Sequence, residues 1–274
     1  SIDAVLLAPA RHFPVQYMDR LTSCKLMQIW SSGYDKFNID DAHARGISVS
    51  NNHGSNAISV AEHTILMMLS VSRRLPEMHD RVITGRWSGN DHGMSSHSLA
   101  GKTLGLIGLG KIGTLVAHRA DSFGMKIVFT DPAVQQPEDR NWRKLDLKEL
   151  LGEADYLSFH VHLSAETRDL INDDNIYLLK KRPFIINVSR AEIVNRDALI
   201  GALRSGRIKG VAIDAHYSEP TAENDELLES NNGVFSPHVA GSTADSYMET
   251  VRACIVNIDA ALTGAPVAGL IQHR

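Results

Sequence analysis

Three residues far apart in the chain, Arg190, Glu219 and His238, are of the types needed to grip an anion and hand a proton to an oxygen. A planar guanidinium holds a carboxylate and polarises an adjacent carbonyl through directional bonds. An imidazole delivers a proton near neutral pH, and a carboxylate beside it stabilises the imidazolium. With a nicotinamide supplying hydride, such a set suits reduction of a small 2-keto acid, provided that the loop 215–220 returns Glu219 over the strand ends. Taken singly, each residue has a plainer reading: Arg190 as a turn cap, Glu219 before Pro220 as a solvated acid, and His238 after Pro237 as a surface histidine.

A second signal is Gly108-Leu109-Gly110-Lys111-Ile112-Gly113, a GxGxxG element between an apolar strand pattern and a helical one. In that context Gly108 permits a tight turn, Gly110 lets a pyrophosphate approach the backbone, and Gly113 lets helix pack on strand. The helix N-terminus then offers N–H groups to the phosphates. Asp131 ends the next strand pattern, at the offset of the acid that binds ribose hydroxyls, and no Arg or Lys follows within 132–135. That favours NAD over NADP. The plainer alternative is a glycine turn with a surface aspartate.

What positions these groups is an alternation of short apolar runs and helical stretches from Thr103 onward, the mark of a parallel sheet wrapped by helices. Strands are expected at 103–107, 126–130, 156–159, 184–187, 210–213 and 234–236, with helices at 112–123, 147–151, 173–179, 196–205 and 225–228. The strand ends then carry Asp131, His160 with His162, Ser189 with Arg190, Asp214 and His238, where open α/β sheets bind ligands. His160 and His162 could share a strand face as half of a metal site, but no third ligand lies nearby and no metal is expected. The first part repeats the pattern more weakly: strands at 4–7, 25–29 and 47–50, a helix at 39–45, then helices at 56–74 and 76–84. The unpatterned stretch 85–100, rich in Gly, Ser and His, reads as a domain boundary, and 244–262 as a second long helix.

The 274 residues accommodate two domains of ordinary size. A formal charge of −4 gives no case for nucleic acid or an anionic membrane as partner. The longest apolar run, 57–72, is broken by Glu62 and His63 and is too short to span a bilayer. Cys24 and Cys254 have no nearby partners and suggest structural thiols in a reducing compartment. No leader is read in residues 1–8, so a cytoplasmic location is expected.

Over essentially its whole length the chain resembles the D-isomer-specific 2-hydroxyacid dehydrogenases. The matching segments are Gly33-Tyr34-Asp35 through Ala44-Arg45-Gly46-Ile47, then Val60-Ala61-Glu62-His63, and 101–110. They continue with Ile186-Asn187-Val188-Ser189-Arg190, Asp214 through Glu219-Pro220, and Pro237-His238-Val239-Ala240-Gly241-Ser242-Thr243. The resemblance implies an α/β protein of two Rossmann-like doubly wound domains. A discontinuous, flavodoxin-like substrate domain (1–95 with 246–274) would join a central NAD-binding Rossmann domain (96–245), and the family usually forms homodimers. It implies that Arg190 binds the acid, that His238 is the acid/base and that Glu219 is its partner. Asp214 would contact the nicotinamide carboxamide, and Lys111 and Ile112 would lie on the pyrophosphate. His162 and Val188 would line the cofactor, and the backbone at Ser32 and Gly33 would receive the substrate carboxylate.

The chain departs from the family pattern at Ala191, usually Gly, at Ala215-His216, usually Val-Phe, and at His53 and His162, usually Pro. It also begins late, with roughly one βα unit of the substrate domain absent, which would leave an unpaired sheet edge. Ala8 stands where phosphoglycerate-using relatives tend to carry Arg, and no regulatory domain follows residue 262. Both disfavour a phosphorylated substrate and leave glycerate, glycolate or lactate open. A reading from another class is an NAD-sensing binding protein of the same fold, akin to corepressors. The intact set of Arg190, Glu219 and His238 favours the enzyme, since a pure sensor needs no positioned acid.

Overall fold

The computed structural model describes residues 2–7, 13–87, 89–91, 93–230 and 232–272. Ala8, weighed above for substrate choice, lies outside them. The chain divides into two compact units, residues 1–59 with 241–274, and residues 60–240.

In the first unit β1 (Ala4–Leu7), β2 (Leu26–Ile29) and β3 (Ser48–Ser50) form a parallel sheet in the order β1-β2-β3. The short helices α1 (Val15–Met18) and α2 (Ile39–His43) connect them. Met18, Met27, Ile29, Phe37, Ala42, Ile47 and Val49 are its core. The long C-terminal helix of this unit (Ala244–Thr263) packs on β1 and β2. A buried polar knot fixes it there: Asn257 Nδ2 donates to Gln28 Oε1 at 2.9 Å, to Ser50 Oγ at 3.1 Å and to the Ala268 carbonyl at 3.0 Å. Buried amides persist only when bonded in this way. Among the described residues β1 pairs on one side only, with β2.

The second unit contains most of α3 (Ala57–Arg73), then α4 (Leu75–Ile83), β4 (Thr103–Ile107), α5 (Lys111–Ser122), β5 (Lys126–Thr130), β6 (Arg143–Lys144) and α6 (Leu147–Glu153). It continues with β7 (Tyr156–Phe159), β8 (Phe184–Asn187), α7 (Arg196–Arg204), β9 (Gly210–Ile213) and β10 (Gly233–Phe235); the C-terminal helix of the first unit is α8. All seven strands run parallel in the order β10-β9-β8-β7-β4-β5-β6, a doubly wound arrangement whose order reverses between β4 and β7. The inner strands β4, β7, β8 and β9 read as nearly continuous apolar runs because both faces are covered. Leu104, Leu106, Ile127, Phe129, Phe184 and Ile186 feed one core, and Ile107, Val128, Leu157, Phe159, Ile185 and Val211 feed the other.

Ala61, Ile65, Met67, Met68 and Val71 of α3 belong to the first of these two cores. By packing, the division therefore falls in the first turn of α3, between Ser59 and Val60, whereas the sequence pattern places it near residue 95. The stretches at 173–179 and 225–228 form only single 3-10 turns, Ile176–Leu178 and Glu226–Glu229. Side chains compete there for the backbone: Asn175 Oδ1 accepts from Asn172 N, and Asp225 Oδ1 accepts from Leu227 N.

Candidate active site

The turn after β4 is shaped by what cannot occupy it. Gly108 has φ +93°, and a Cβ there would lie 2.6 Å from the His160 carbonyl oxygen. A Cβ on Gly113 would stand 2.3 Å from the Gly108 carbonyl oxygen. Gly110, by contrast, faces open space and caps α5 without any side-chain bond, as the start of a phosphate-binding helix requires. Asp131 ties the turn to the end of β5: Oδ2 accepts from Leu109 N at 2.8 Å, and Oδ1 accepts from Ala133 N at 2.8 Å and Val134 N at 3.2 Å. Glycine cradle, uncapped helix start and adjacent carboxylate fit a dinucleotide. Val188 is buried with Val60 and Ala240, and Ile112 packs on that cluster beside the turn.

His160 follows β7, and its Nε2 is bonded to Ser158 Oγ at 2.9 Å. Burial pushes its imidazole down to about 3, so it is neutral at physiological pH. His162 is exposed, and its carbonyl accepts from Thr167 Oγ1.

The remaining predicted residues gather at the carboxyl ends of three adjacent strands. Arg190 follows β8, Asp214 follows β9 and His238 follows β10. Glu219 does return to the histidine: its Oε1 lies 2.7 Å from His238 Nδ1 and also accepts from His216 N at 3.1 Å. His216 Nε2 reaches the Ser236 carbonyl at 2.9 Å, so the departure at this position adds a tie between the two loops. The guanidinium of Arg190 donates to the Ser189 carbonyl at 2.8 Å, and Asp214 N donates to the Asn187 carbonyl, joining the ends of β8 and β9. Asp214 is fully buried. Its Oδ1 accepts from Ser236 Oγ at 2.6 Å and Val239 N at 2.9 Å, and its Oδ2 accepts from Ala240 N at 2.8 Å. Its carbonyl accepts from His238 N, and His238 itself sits at φ +55°. Sequence reasoning missed Ser236 and the backbone donors of Val239 and Ala240. His63 belongs to the segment Val60-Ala61-Glu62-His63, to which the sequence assigns no role, yet its Nε2 lies 2.9 Å from Ser236 Oγ.

Ser32 and Gly33 lie in the first unit. The Ser32 hydroxyl is within 2.6 Å of Asn52 Oδ1 and 2.9 Å of Asn56 Oδ1, and the Gly33 carbonyl accepts from Ser31 Oγ. Their backbone N–H groups donate to nothing among the described residues, as an anion cradle requires.

The model of the D-isomer specific 2-hydroxyacid dehydrogenase, NAD binding domain, matches residues 65–240. A glyoxylate reductase of Thermofilum pendens is 34% identical over 277 residues, covering 99% of this chain and 82% of that protein. A hydroxypyruvate reductase of Thermotoga maritima is 33% identical over 249 residues, 90% of this chain and 80% of that protein. The NAD-dependent formate dehydrogenase from Staphylococcus aureus, solved in complex with NAD, superposes with a TM-score of 0.88 at 27% identity, covering 100% of this chain and 83% of that one. The chain belongs to the D-isomer specific 2-hydroxyacid dehydrogenases and is an NAD-dependent oxidoreductase of 2-hydroxy and 2-keto acids.

Proposed function

We propose that this chain reduces small, unphosphorylated 2-keto acids of the glyoxylate and hydroxypyruvate type, with His238 as proton donor, Glu219 as its partner and Arg190 as the substrate's cation. The reading is carried by the 2.7 Å contact of His238 Nδ1 with Glu219 Oε1, which commits Nδ1 and leaves Nε2 to face a substrate. Bound NADH supplies the hydride. Arg190 pairs with the substrate carboxylate and polarises the carbonyl, and the backbone N–H groups of Ser32 and Gly33 are the anion cradle of the substrate-serving unit. His238 gives its Nε2 proton to the carbonyl oxygen as charge develops there, while Glu219 stabilises the imidazolium beforehand. The residues 1–59 with 241–274 would serve the substrate and 60–240 the dinucleotide.

Turnover of a keto-acid panel, followed by NADH absorbance, tests the reading. His238→Gln and Arg190→Ala should each lower kcat/KM by at least about a hundredfold with NADH binding retained, as expected for loss of a proton donor. Undiminished turnover of every accepted acid by Arg190→Ala would overturn the assignment. Negligible turnover by the wild-type chain over the whole panel, with tight NADH binding, would favour the sensor instead.

A second copy of this chain is the proposed partner. Helix α4 buries none of its residues, and Leu75, Val82, Ile83, Trp87 and Met94 of the same unit are more than half exposed. Exposed apolar side chains in such number call for cover. Light scattering should give twice the chain mass, and Val82→Glu with Ile83→Glu should halve it. No helix among the described residues is long and apolar enough to cross a membrane. The two free, buried cysteines suit the cytoplasm, which is where we place the protein.

A further inference from the structure

We infer that His63, on α3, is a positioning residue for His238, acting through Ser236 and Asp214. The inference rests on the proton-donor reading of His238 given above. Asp214 has no exposed surface, and its two oxygens meet three neutral donors, Ser236 Oγ, Val239 N and Ala240 N. No lysine or arginine pairs with it among the described residues. The one cation-capable group beside it is His63, whose Nε2 lies 3.6 Å from Oδ1. A buried carboxylate without compensation is costly, so this neighbour matters.

Proton counting fixes how His63 contributes. Ser236 has a single hydroxyl proton, and the 2.6 Å bond to Asp214 Oδ1 uses it. Toward His63 Nε2, at 2.9 Å, the same oxygen can then only accept. The Nε2 atom of His63 therefore carries a proton, whether the ring is neutral or charged. The chain of donors runs one way, from His63 to Ser236 to Asp214.

Asp214 in turn holds the catalytic segment at three points. Its carboxylate takes the N–H groups of Val239 and Ala240, and its carbonyl takes that of His238. His238 needs such a hold, because its φ of +55° is a conformation that a side-chain-bearing residue adopts at a cost. The far end of the chain is rigid: Ala61, Ile65 and Met68 on the same helix are buried in the core, and the adjacent Glu62 pairs with Arg119 of α5 at 3.3 Å. The other titratable groups of these loops, His216 and Glu219, bind the Ser236 carbonyl and His238 Nδ1, and neither reaches the Asp214 carboxylate.

The experiment has two arms on the full chain. In the first, long-range proton–nitrogen NMR of the labelled wild-type protein should show the His63 ring protonated at Nε2 on both sides of neutral pH. Ser236→Ala should shift that signal. A ring protonated only at Nδ1 would overturn the inference whatever the kinetics. In the second, His63→Phe keeps the shape but lacks the donor, and its kcat should fall about tenfold to hundredfold, the scale of a slightly misplaced catalytic group. KM for the keto acid should change far less. His63→Gln, whose amide N–H can stand at the Nε2 position, should recover most of the loss; a glutamine variant as slow as the phenylalanine one would count against the latch. The two readings remain separable. If His238→Gln turns over normally, the proton-donor assignment falls, while the NMR arm still reports on the latch alone.

Discussion

The turns after β4 and after β10 stand at the carboxyl ends of strands in one parallel sheet, and each holds a residue with positive φ, Gly108 at +93° and His238 at +55°. They are stabilised by opposite means. The first is fixed by exclusion, since any Cβ at Gly108 or Gly113 would strike backbone. The second carries an imidazole that chemistry requires, in a conformation that sterics disfavour, and is held by acceptors on Asp214. Steric turns are written in three letters; latched turns depend on partners more than twenty residues away.

The contrast is tested most severely inside the glycine turn. Gly113→Ala forces a carbon within 2.3 Å of a backbone oxygen that has no flexible side chain to yield. The expected cost is about 3 kcal/mol, the upper range of overpacking. If that strain falls on the binding-competent turn, NADH affinity drops about a hundredfold. Gly110→Ala has open space and an extended backbone at φ −75°, so Tm should hold while NADH affinity alone falls. Equal loss of Tm in both variants would show that sterics do not separate the two glycines.

The latched turn should break chemically. In Asp214→Asn the shape survives, but an amide N–H must face at least one of the three donors that the carboxylate now accepts. An unsatisfied buried donor costs about 1–3 kcal/mol, so urea unfolding should show a loss of that size. Turnover should fall with it, and NADH binding should fall less than in Gly113→Ala. A variant with lost stability but wild-type kcat would mean that His238 keeps its place without the carboxylate.

The sequence was most legible where one physical rule dominates. The runs at 103–107, 126–130 and 156–159 read as strands because both faces are buried. The glycine turn was readable because only glycine fits. β6 escaped notice because Arg143 and Lys144 are exposed and leave no apolar signal, and α1 because four residues hold no period. The placement of α3 was hidden because an apolar helix face does not say which core it joins. The meeting of Glu219 with His238 was foreseen as a condition on one loop. The part played by Ser236 and His63 was not, since hydroxyl and imidazole bonds across 173 residues leave no pattern in the chain.

Per pH unit, a smaller effect lies in acid. His160 beneath the glycine turn titrates near its ordinary 6.5 when unfolded but only at about 3 when folded. The unfolded chain therefore binds the extra proton between these values, and stability falls as pH drops from about 6.5 toward 3. One such group contributes a slope of at most about 1.4 kcal/mol per pH unit. Urea midpoints measured across that window should fall less steeply for His160→Asn than for wild type. Identical slopes would mean that the ring is hydrated in the folded state.

The smallest expected effect is at Tyr217, two residues before Glu219. Its hydroxyl donates to the Val194 carbonyl at 2.6 Å, and burial raises the phenol well above its usual range. Tyr217→Phe deletes that one neutral bond, at a cost of about 1 kcal/mol, and leaves the contacts of Glu219 with His238 and His216 intact. If the loop is held by Glu219 at its tip, kcat should stay within a factor of two while the urea midpoint drops slightly. A tenfold fall in kcat would move the anchor from the tip of the loop to its base. The loop of Glu219 would then resemble the glycine turn, placed by how it packs and not by the bonds of its carboxylate.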